Sequence, residues 1–240
     1  MDAEAESMSD ARVPLHDLTA FERAVYHEVA GKVCQSPEAF AQLSRAVRYL
    51  VDQEIHGNFV ECGVFQGASI ICMVRTLQAM GRQRSIWLYD TFEGMPRPEP
   101  IDRFHSAREG EDIARWESCQ RGSGSDWVRA SLEDVRANIE PLGYLGVIQY
   151  VKGMVEETIP GPGTAPGPIA LLRLDTDFYS STKHELVHLY PRVVSGGVVI
   201  IDDYGAFRGS QKAVDEYIKE QGLKVLLARI DEHVRMWVKP

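Results

Sequence analysis

Apolar residues recur at helical spacing in two stretches near the start of the chain, residues 17–32 and 37–52. In the second stretch they fall on one face of a helix: Phe40, Leu43, Val47 and Leu50. Ser36 directly before Pro37 is the usual order for an N-cap followed by a proline in the first turn. The pattern therefore predicts two helices ahead of the first strand.

Short apolar runs that end in glycine or an acidic residue predict buried strands further along the chain. The run over residues 58–64 is followed by a glycine turn, an apolar helix over residues 70–80 and a second run over residues 85–90. Strand, turn, helix and strand form a βαβ unit, in which the two strands are parallel. The later predicted elements are helices over residues 131–141, 181–190 and 210–221 and strands over residues 147–151, 169–175 and 198–201.

Residues 224–230 and 234–239 alternate between apolar and polar side chains, which predicts an antiparallel hairpin at the end of the chain. With the parallel strands it makes an α/β fold whose sheet is mostly parallel and seven-stranded. A length of 240 residues suits one such domain, over residues 14–240, better than two small ones. Residues 1–13 are acidic and polar and lack the features of a signal peptide, so they predict a disordered leader.

About 30 residues after the second strand, residues 97–130, interrupt the strand and helix pattern. The stretch is rich in charge and glycine, and it is longer than a normal connection. It also holds aromatic residues, among them Phe104, Trp116 and Trp127. Long insertions of this kind carry binding functions, so we expect a partly helical lid.

The composition excludes two classes of partner. A formal net charge of -9 argues against nucleic acid, because binding to phosphates needs a basic surface. No run of 18 apolar residues is present, so no membrane span is expected.

The chain has four cysteines, Cys34, Cys62, Cys72 and Cys119. They form no CxxC pair and no short disulfide framework, which predicts reduced thiols in a cytoplasmic protein.

The turn after the first strand favours a nucleoside ligand. The stretch from Glu61 to Ser69 contains Gly63-x-x-x-Gly67 instead of the G-x-G-x-x-G pattern of a dinucleotide site. Glycine lets a ligand approach the backbone closely, and the following helix offers free N–H groups at its N-terminus. Asp90, at the end of the next strand, can accept hydrogen bonds from both hydroxyls of a ribose. The alternative is a tight turn that binds no ligand.

Three aspartates predict a metal site. Asp175 and Asp202 end two strands that flank one helix, so these strands are expected to be neighbours, about 4.8 Å apart. Asp203 adds a third carboxylate, and such crowding raises the pKa of at least one of them unless a cation is present. Oxygen ligands favour Mg²⁺, Mn²⁺ or Ca²⁺ over zinc. The alternative is that the aspartates cap the following helices, a role for which Asp177 is the best candidate.

The histidines are weaker candidates. His184 and His188 have the i, i+4 spacing of a metal pair on a helix, but no third ligand accompanies them, which favours an ordinary helix face. His105 lies in the expected lid and could contact a substrate or act as a base. The alternative is a surface histidine in a loop.

Several blocks resemble the macrocin O-methyltransferase family, which includes sugar O-methyltransferases of macrolide and aminocoumarin biosynthesis. The blocks that carry the resemblance are residues 60–64 with Gly67, residues 90–96, residues 172–179, residues 190–192 with Gly196 and Gly197, residues 201–204 and residues 213–217. The spacing from Asp175 to Asp202, 202 − 175 = 27 residues, is also that of the family. The resemblance extends from about Gly57 to the C-terminus and is weak through residues 97–130.

The resemblance implies a Rossmann-like class I methyltransferase fold that binds S-adenosylmethionine and Mg²⁺ or Mn²⁺. It implies that Asp175, Asp202 and Asp203 bind the metal. It also implies a set of residues that bind the cofactor: Glu61, Gly63, Val64, Gly67, Ser69, Asp90, Thr91, Phe92, Gly153 and Met154. Further implications are a small hydroxylated acceptor, such as a sugar or glycosylated metabolite, and a homo-oligomer.

Two segments depart from the family pattern, and both bear on ligand binding. Met154 replaces a tryptophan near the adenosine, and residues 205–209 lack the family's cysteine beside the metal. The acceptor is therefore open to a catechol-type or cephalosporin-type alternative with the same metal chemistry.

The expected mechanism is that of a metal-assisted methyl transfer. The metal holds an acceptor diol and lowers the pKa of one hydroxyl, and Asp175 removes its proton, with His105 as a second candidate for the base. Two other classes of protein remain as alternatives. One is a nicotinamide-dependent oxidoreductase, and the other is a cofactor-binding protein without activity.

Overall fold

The computed structural model of the protein describes residues 15–122, 124–161, 163 and 165–240, and the predicted leader, residues 1–13, lies outside them. The helices are α1 (Ala20–Glu28), α2 (Pro37–Asp52), α3 (Ala68–Ala79), α4 (Glu111–Ser118), α5 (Leu132–Ile139), α6 (Val155–Thr158), α7 (Tyr179–Leu189) and α8 (Arg208–Glu220). The strands are β1 (Asn58–Cys62), β2 (Ile86–Asp90), β3 (Gln120–Arg121), β4 (Gly124–Ser125), β5 (Ile148–Lys152), β6 (Ile169–Leu174), β7 (Val193–Ile201), β8 (Ala228–Arg229) and β9 (Arg235–Val238). Short 3₁₀ helices lie at Leu15–Asp17, Glu140–Leu142 and Tyr190–Arg192.

The main sheet has seven described strands in the order β5-β2-β1-β6-β7-β9-β8. The first five run parallel, whereas β9 is antiparallel to both β7 and β8. This confirms the predicted fold class, although β8 pairs over two residues only and is shorter than the predicted strand. The strand order reverses direction next to β1, and ligands of open α/β sheets bind at that point.

The two faces of the sheet pack against different helices. Side chains alternate between the faces along a strand. Phe59 and Leu171 lie in one buried cluster with residues of α2 and α3, whereas Val60 and Leu172 lie in a second cluster with residues of α7 and α8. The sheet is therefore covered on both sides, as its apolar strands require. None of the described helices is long and apolar enough to cross a membrane.

The two N-terminal helices differ in how well the pattern predicts them. Helix α2 begins at Pro37, as predicted, and the Ser36 hydroxyl accepts a hydrogen bond from the backbone N–H of Ala39 at 3.1 Å. Helix α1 is shorter than predicted: Thr19 and Glu22 form a capping box at its start, and it ends at Glu28. The chain between the two helices leaves the helical path and runs across the end of the sheet.

Residues 97–130 contain α4 and the small hairpin of β3 and β4. The Trp116 indole donates a hydrogen bond to the carbonyl of Met95 at 2.9 Å. Phe104 forms an isolated β-bridge with Phe207, and their ring centroids are 4.0 Å apart. The Trp116 hydrogen bond attaches the insertion to the chain after β2, and the contact between Phe104 and Phe207 attaches it to the loop that follows β7, which carries Asp202 and Asp203.

Candidate active site

A cavity of about 320 Å³ opens at the carboxyl ends of β1, β2, β6 and β7. Its lining includes most of the residues that the sequence predicts for the site: Gly63, Val64, Ser69, Asp90, Thr91, Gly153, Met154, Asp175, Asp202 and Asp203. Four other predicted residues are not among the described residues that line it: Glu61, Gly67, Phe92 and His105. The sheet therefore brings seven of the ten predicted cofactor residues and all three predicted metal ligands to one cavity.

The turn between β1 and α3 is closely packed against the end of β6. Gly63 has a φ of +81°, and a Cβ at this position would overlap the carbonyl oxygen of Asp175. Gly67, the N-cap of α3, has a φ of +83°. Both positions need glycine because of their left-handed backbone conformation. In the pattern Gly63-x-x-x-Gly67, the first glycine thus allows the close approach of the Asp175 carbonyl, and the second allows the left-handed start of α3.

The Asp90 carboxylate bridges two turns at the edge of the cavity. One of its oxygens accepts hydrogen bonds from the backbone N–H groups of Val64 at 2.6 Å and Phe65 at 3.3 Å. The other accepts from the N–H of Phe92 at 2.6 Å. Burial raises the pKa of Asp90, and these backbone hydrogen bonds oppose the shift. Phe65 and Phe92 both have positive φ angles, and such strain of roughly 1–3 kcal/mol per residue is typical of functional turns.

Arg173 lines the cavity and forms ion pairs with acids of three strand ends. Arg173 on β6 pairs in register with Glu61 on β1, so their side chains share one face of the sheet. The guanidinium forms ion pairs with Glu61, with Asp175 at 2.7 Å and with Asp202 at 2.6 Å. Glu61 also accepts a hydrogen bond from the Ser69 hydroxyl. Burial raises the pKa of Glu61, an effect that Arg173 opposes.

This network was not predicted from the sequence, although a signal was present. Arg173 is a charged residue in the strand β6, all of whose residues are buried. A buried charge needs partners of opposite sign, so an arginine in such a run indicates buried acids nearby. The structure places Glu61 among these acids, below the lining of the cavity.

The three predicted metal ligands meet at the rim of β6 and β7. Because Leu174 pairs with Ile201, the next residues, Asp175 and Asp202, leave neighbouring strands at the same level. One oxygen from each of Asp175, Asp202 and Asp203 lies within 4.8 Å of the others. Within the described part of the chain, this is the only group of three or more histidine, cysteine or acidic residues that is arranged to hold a metal.

Burial raises the pKa of Asp175 well above its ordinary value; Arg173 opposes this shift and Asp202 adds to it. Burial also raises the pKa of Asp203, and the nearby Asp177 and Asp202 add to the effect. The positive charge of Arg173 therefore does not neutralise all the negative charges of these aspartates, and a further positive charge would stabilise their ionised forms.

Asp177 does not cap α7, so the structure does not support the alternative in which it serves as a helix cap. The N-cap of α7 is Phe178, without a side-chain cap. Asp177 has a left-handed φ of +67°, lines the cavity, and donates a hydrogen bond from its backbone N–H to the Asp203 carboxylate at 3.2 Å. Burial and the nearby Asp175 raise the pKa of its carboxyl group. Asp177 is thus a fourth acid of the site.

A segment between α1 and α2 forms one wall of the cavity, which the sequence did not predict. Lys32, Val33, Cys34 and Gln35 all line it. The Gln35 side-chain amide donates a hydrogen bond to Asp202 at 3.1 Å, across 167 positions of sequence. No local pattern signals such a contact, because it depends on how the N-terminal helices dock onto the sheet.

The predicted histidines lie outside the cavity. His105 is exposed, its backbone N–H donates to the carbonyl of Ala206 at 2.8 Å, and partial desolvation with the nearby Arg208 lowers the pKa of its imidazole. The rings of His184 and His188 are 4.3 Å apart, and His184 contacts the carbonyl of Ile159. This pair lies on one face of α7.

A comparison with protein families identifies the chain. Residues 31–239 match the family described as macrocin-O-methyltransferase (TylF). The chain belongs to the macrocin O-methyltransferase family. This confirms the family and the enzyme class, an O-methyltransferase, that the sequence predicts. The match includes the wall between α1 and α2 from residue 31 onward and all the acids of the cavity.

Individual proteins are also similar to the chain over most of its length. The 8-demethyl-8-(2,3-dimethoxy-alpha-L-rhamnosyl)-tetracenomycin-C 4'-O-methyltransferase of Streptomyces olivaceus is 34% identical over 201 residues, which are 81% of this chain and 70% of the relative. The demethyldecarbamoylnovobiocin O-methyltransferase of Streptomyces niveus is 32% identical over 199 residues, 81% of this chain and 71% of the relative. The solved structure of the O-methyltransferase NovP has a TM-score of 0.74 and 26% identity, and the match covers 91% of this chain and 88% of that one.

Proposed function

We propose that the protein transfers a methyl group from S-adenosylmethionine to a hydroxyl of a sugar or glycosylated metabolite, with the help of Mg²⁺ or Mn²⁺. The observation that carries this proposal is the group of three carboxylates within 4.8 Å of one another at the cavity. The name of the tetracenomycin relative places its acceptor on a rhamnosyl group, which supports a sugar acceptor here. The predicted cytoplasmic location and homo-oligomer remain predictions.

The residues at the β1, β2 and β5 ends of the cavity fit a nucleoside cofactor. Gly63 and Val64 line it on one side, and Gly153 and Met154 on another. Glu156 also lines the cavity, and one of its carboxylate oxygens is buried without a hydrogen-bond partner among the described residues. Such an oxygen needs a donor, and the cofactor carries two amino groups. When bound, S-adenosylmethionine supplies a methyl group on a sulfonium, which is open to attack by an oxygen.

The acids at the β6 and β7 ends fit a divalent cation. One oxygen of Asp175 and one of Asp202 are engaged by Arg173, and the second oxygen of each receives no donor among the described groups. Asp203 stands beside them within ligand distance. The donor set consists of carboxylate oxygens, which suit Mg²⁺ or Mn²⁺ better than zinc. When bound, the cation lowers the pKa of an acceptor hydroxyl next to it.

The chain's own acids then remove the proton. The sequence analysis predicts Asp175 as the base and His105 as a second candidate. His105 is not among the described residues that line the cavity. Asp177 faces the same cavity without belonging to the group of three ligands. A carboxylate that does not bind the metal has oxygens available to accept a proton from the acceptor hydroxyl. We therefore assign Asp177 as the general base and keep Asp175 as a ligand.

The acceptor enters a cavity that has apolar side chains in its wall as well as the acids. Phe104, Met95 and Phe207 line it, next to the aspartates. These side chains position an acceptor through contact area, while the aspartates recognise its hydroxyls. A catechol-type or cephalosporin-type acceptor remains the alternative, since the metal chemistry is the same. Membership of the family argues against a nicotinamide-dependent oxidoreductase.

Asp202→Ala tests the proposal, with the exposed Asp52→Ala as a matched control. Isothermal titration with MgCl₂ should show binding to the wild type and to D52A and no binding to D202A. Titration with S-adenosylhomocysteine should give similar affinities for all three. Turnover of a panel of sugar diols should depend on added Mg²⁺ in the wild type and should be lost in D202A. Full turnover by D202A in the presence of a chelator would refute the metal role.

A further inference from the structure

The wall between α1 and α2 is anchored on several sides. We use the term strap for residues 32–36. The Ser36 hydroxyl donates a hydrogen bond to Asp231, in the turn of the C-terminal hairpin, at 2.5 Å. The same hydroxyl caps α2, and the Tyr26 hydroxyl approaches the carbonyl of Gln35 at 3.5 Å. The strap therefore holds the Gln35 side chain at a defined place beside the cavity.

The orientation of the Gln35 amide follows from its partner. Its nitrogen donates to an Asp202 carboxylate oxygen at 3.1 Å. An ionised carboxylate only accepts hydrogen bonds, so the amide nitrogen, and not the amide oxygen, faces Asp202. The Gln35 amide oxygen consequently points elsewhere. It is buried and has no donor within the described part of the chain.

Two side chains contact the same oxygen of Asp202. The Gln35 amide donates a hydrogen bond to this oxygen at 3.1 Å, and the Arg173 guanidinium forms an ion pair with it at 2.6 Å. The Arg173 nitrogen of this ion pair makes no hydrogen bond among the described residues, so the hydrogen bond from Gln35 is the directional contact that restricts the rotation of the carboxylate. The Asp202 carboxylate also contributes one oxygen to the group of three with Asp175 and Asp203.

We infer that Gln35 is a positioning residue, which holds Asp202 in the orientation that binds the cation. The inference rests on the proposed function, since it concerns the same metal site. It goes beyond the three aspartates, because it assigns a role in metal binding to the strap. Gln35 acts through Asp202 and not as a metal ligand, since the atom that faces Asp202 is its amide nitrogen, which has no free electron pair for a cation.

Gln35→Met tests the inference, because methionine keeps the length of the side chain and removes both its donor and its acceptor. Gln42→Met is the matched control, since Gln42 lies on the neighbouring helix α2 and its amide contacts the sulfur of Met236, away from the acids. Gln35→Ala serves as a second variant, in case the methionine side chain packs in an altered way. The probes are MgCl₂ and MnCl₂ alone, titrated into the full-length protein.

We expect Mg²⁺ to bind about tenfold more weakly to Q35M and Q35A than to the wild type, as for the loss of a hydrogen bond to a charged group. Q42M should bind Mg²⁺ as the wild type does, and S-adenosylhomocysteine should bind all variants alike. The electron paramagnetic resonance spectrum of bound Mn²⁺ should change in Q35M and not in Q42M, because the ligand geometry changes only in the former.

Two results would overturn the inference, and they are distinguishable. If the wild type binds neither Mg²⁺ nor Mn²⁺, the metal site of the proposed function fails and the role of Gln35 fails with it. If the wild type binds Mg²⁺ and both Gln35 variants bind it with the same affinity and the same Mn²⁺ spectrum, the metal site stands and only the role of Gln35 is wrong.

Discussion

Replacement of Arg173 by methionine should destabilise the protein strongly. Arg173 is 1% exposed and faces three acids, of which Glu61 is 0% exposed. The variant R173M keeps an apolar side chain of similar length but leaves these carboxylates without their counter-charge. Removing one partner of a buried ion pair costs about 3–5 kcal/mol, because the remaining charge stays buried.

The free energy of unfolding lost in R173M should be smaller than three times the energy of one ion pair. Two unit charges about 4 Å apart attract each other by about 4 kcal/mol at an effective dielectric constant of 20. Three such pairs would give three times this value, but the desolvation of Arg173 opposes it and the orphaned acids take up protons. We therefore expect a net loss of about 3–5 kcal/mol, or roughly 6–20 °C in Tm at 2–4 °C per kcal/mol.

Urea denaturation followed by circular dichroism measures this loss. Arg75→Met is the control, since Arg75 pairs with Glu28 at 2.6 Å but is 35% exposed, and such pairs contribute about 0–1 kcal/mol. The loss in R173M should shrink toward about pH 5, where the acids are more easily protonated, and added Mg²⁺ should offset part of it. A loss no larger than that of R75M, or a loss that does not vary with pH, would refute the reasoning.

Three further predictions concern single residues near the cavity. Burial raises the pKa of Glu185 well above its ordinary 4.5, so its contribution to stability is complete below 4.5 and is lost as the pH rises through the folded pKa. Glu185→Gln should therefore gain stability relative to the wild type as the pH is raised, in urea denaturation at a series of pH values; a constant difference would contradict this. Burial, with Asp175 and Asp202, raises the pKa of the Cys34 thiol from 9.0 to about 11. Its alkylation by iodoacetamide near pH 8, measured by mass spectrometry, should then be roughly 100-fold slower than that of an ordinary thiol. Gly63→Ala should cost about 3 kcal/mol or more in unfolding free energy, because its φ is +81° and its Cβ overlaps the Asp175 carbonyl; near-native stability would show that the turn can move.

The closeness of Asp175 and Asp202 could be predicted because it depends on a general property of parallel sheets. Each aspartate follows an apolar run, and the carboxyl ends of neighbouring parallel strands lie at one edge. In the structure, Leu174 pairs with Ile201, so the aspartates that follow them lie side by side as predicted. The β1–α3 turn with Gly63 could be predicted for a similar reason, since positive φ angles strongly favour glycine.

The role of Gln35 could not be predicted, since its contact with Asp202 spans 167 positions and depends on the docking of a segment without regular structure. Asp177 was the best candidate for a helix cap because a helix was predicted to begin soon after it, at residue 181. The helix instead begins at Tyr179, and Asp177 occupies a left-handed position where its carboxyl group faces the other acids. Local sequence propensity predicts where a helix begins, but it does not predict the tertiary contacts of the side chains near that position.

The strap and the C-terminal hairpin meet through Ser36 and Asp231, which are 195 positions apart. During synthesis the chain emerges from the ribosome N-terminus first, so the strap is exposed long before the hairpin turn exists. The strap can therefore gain this anchor only after the hairpin turn has been synthesised, and removal of β9 would remove an anchor of the cavity wall that the strap forms.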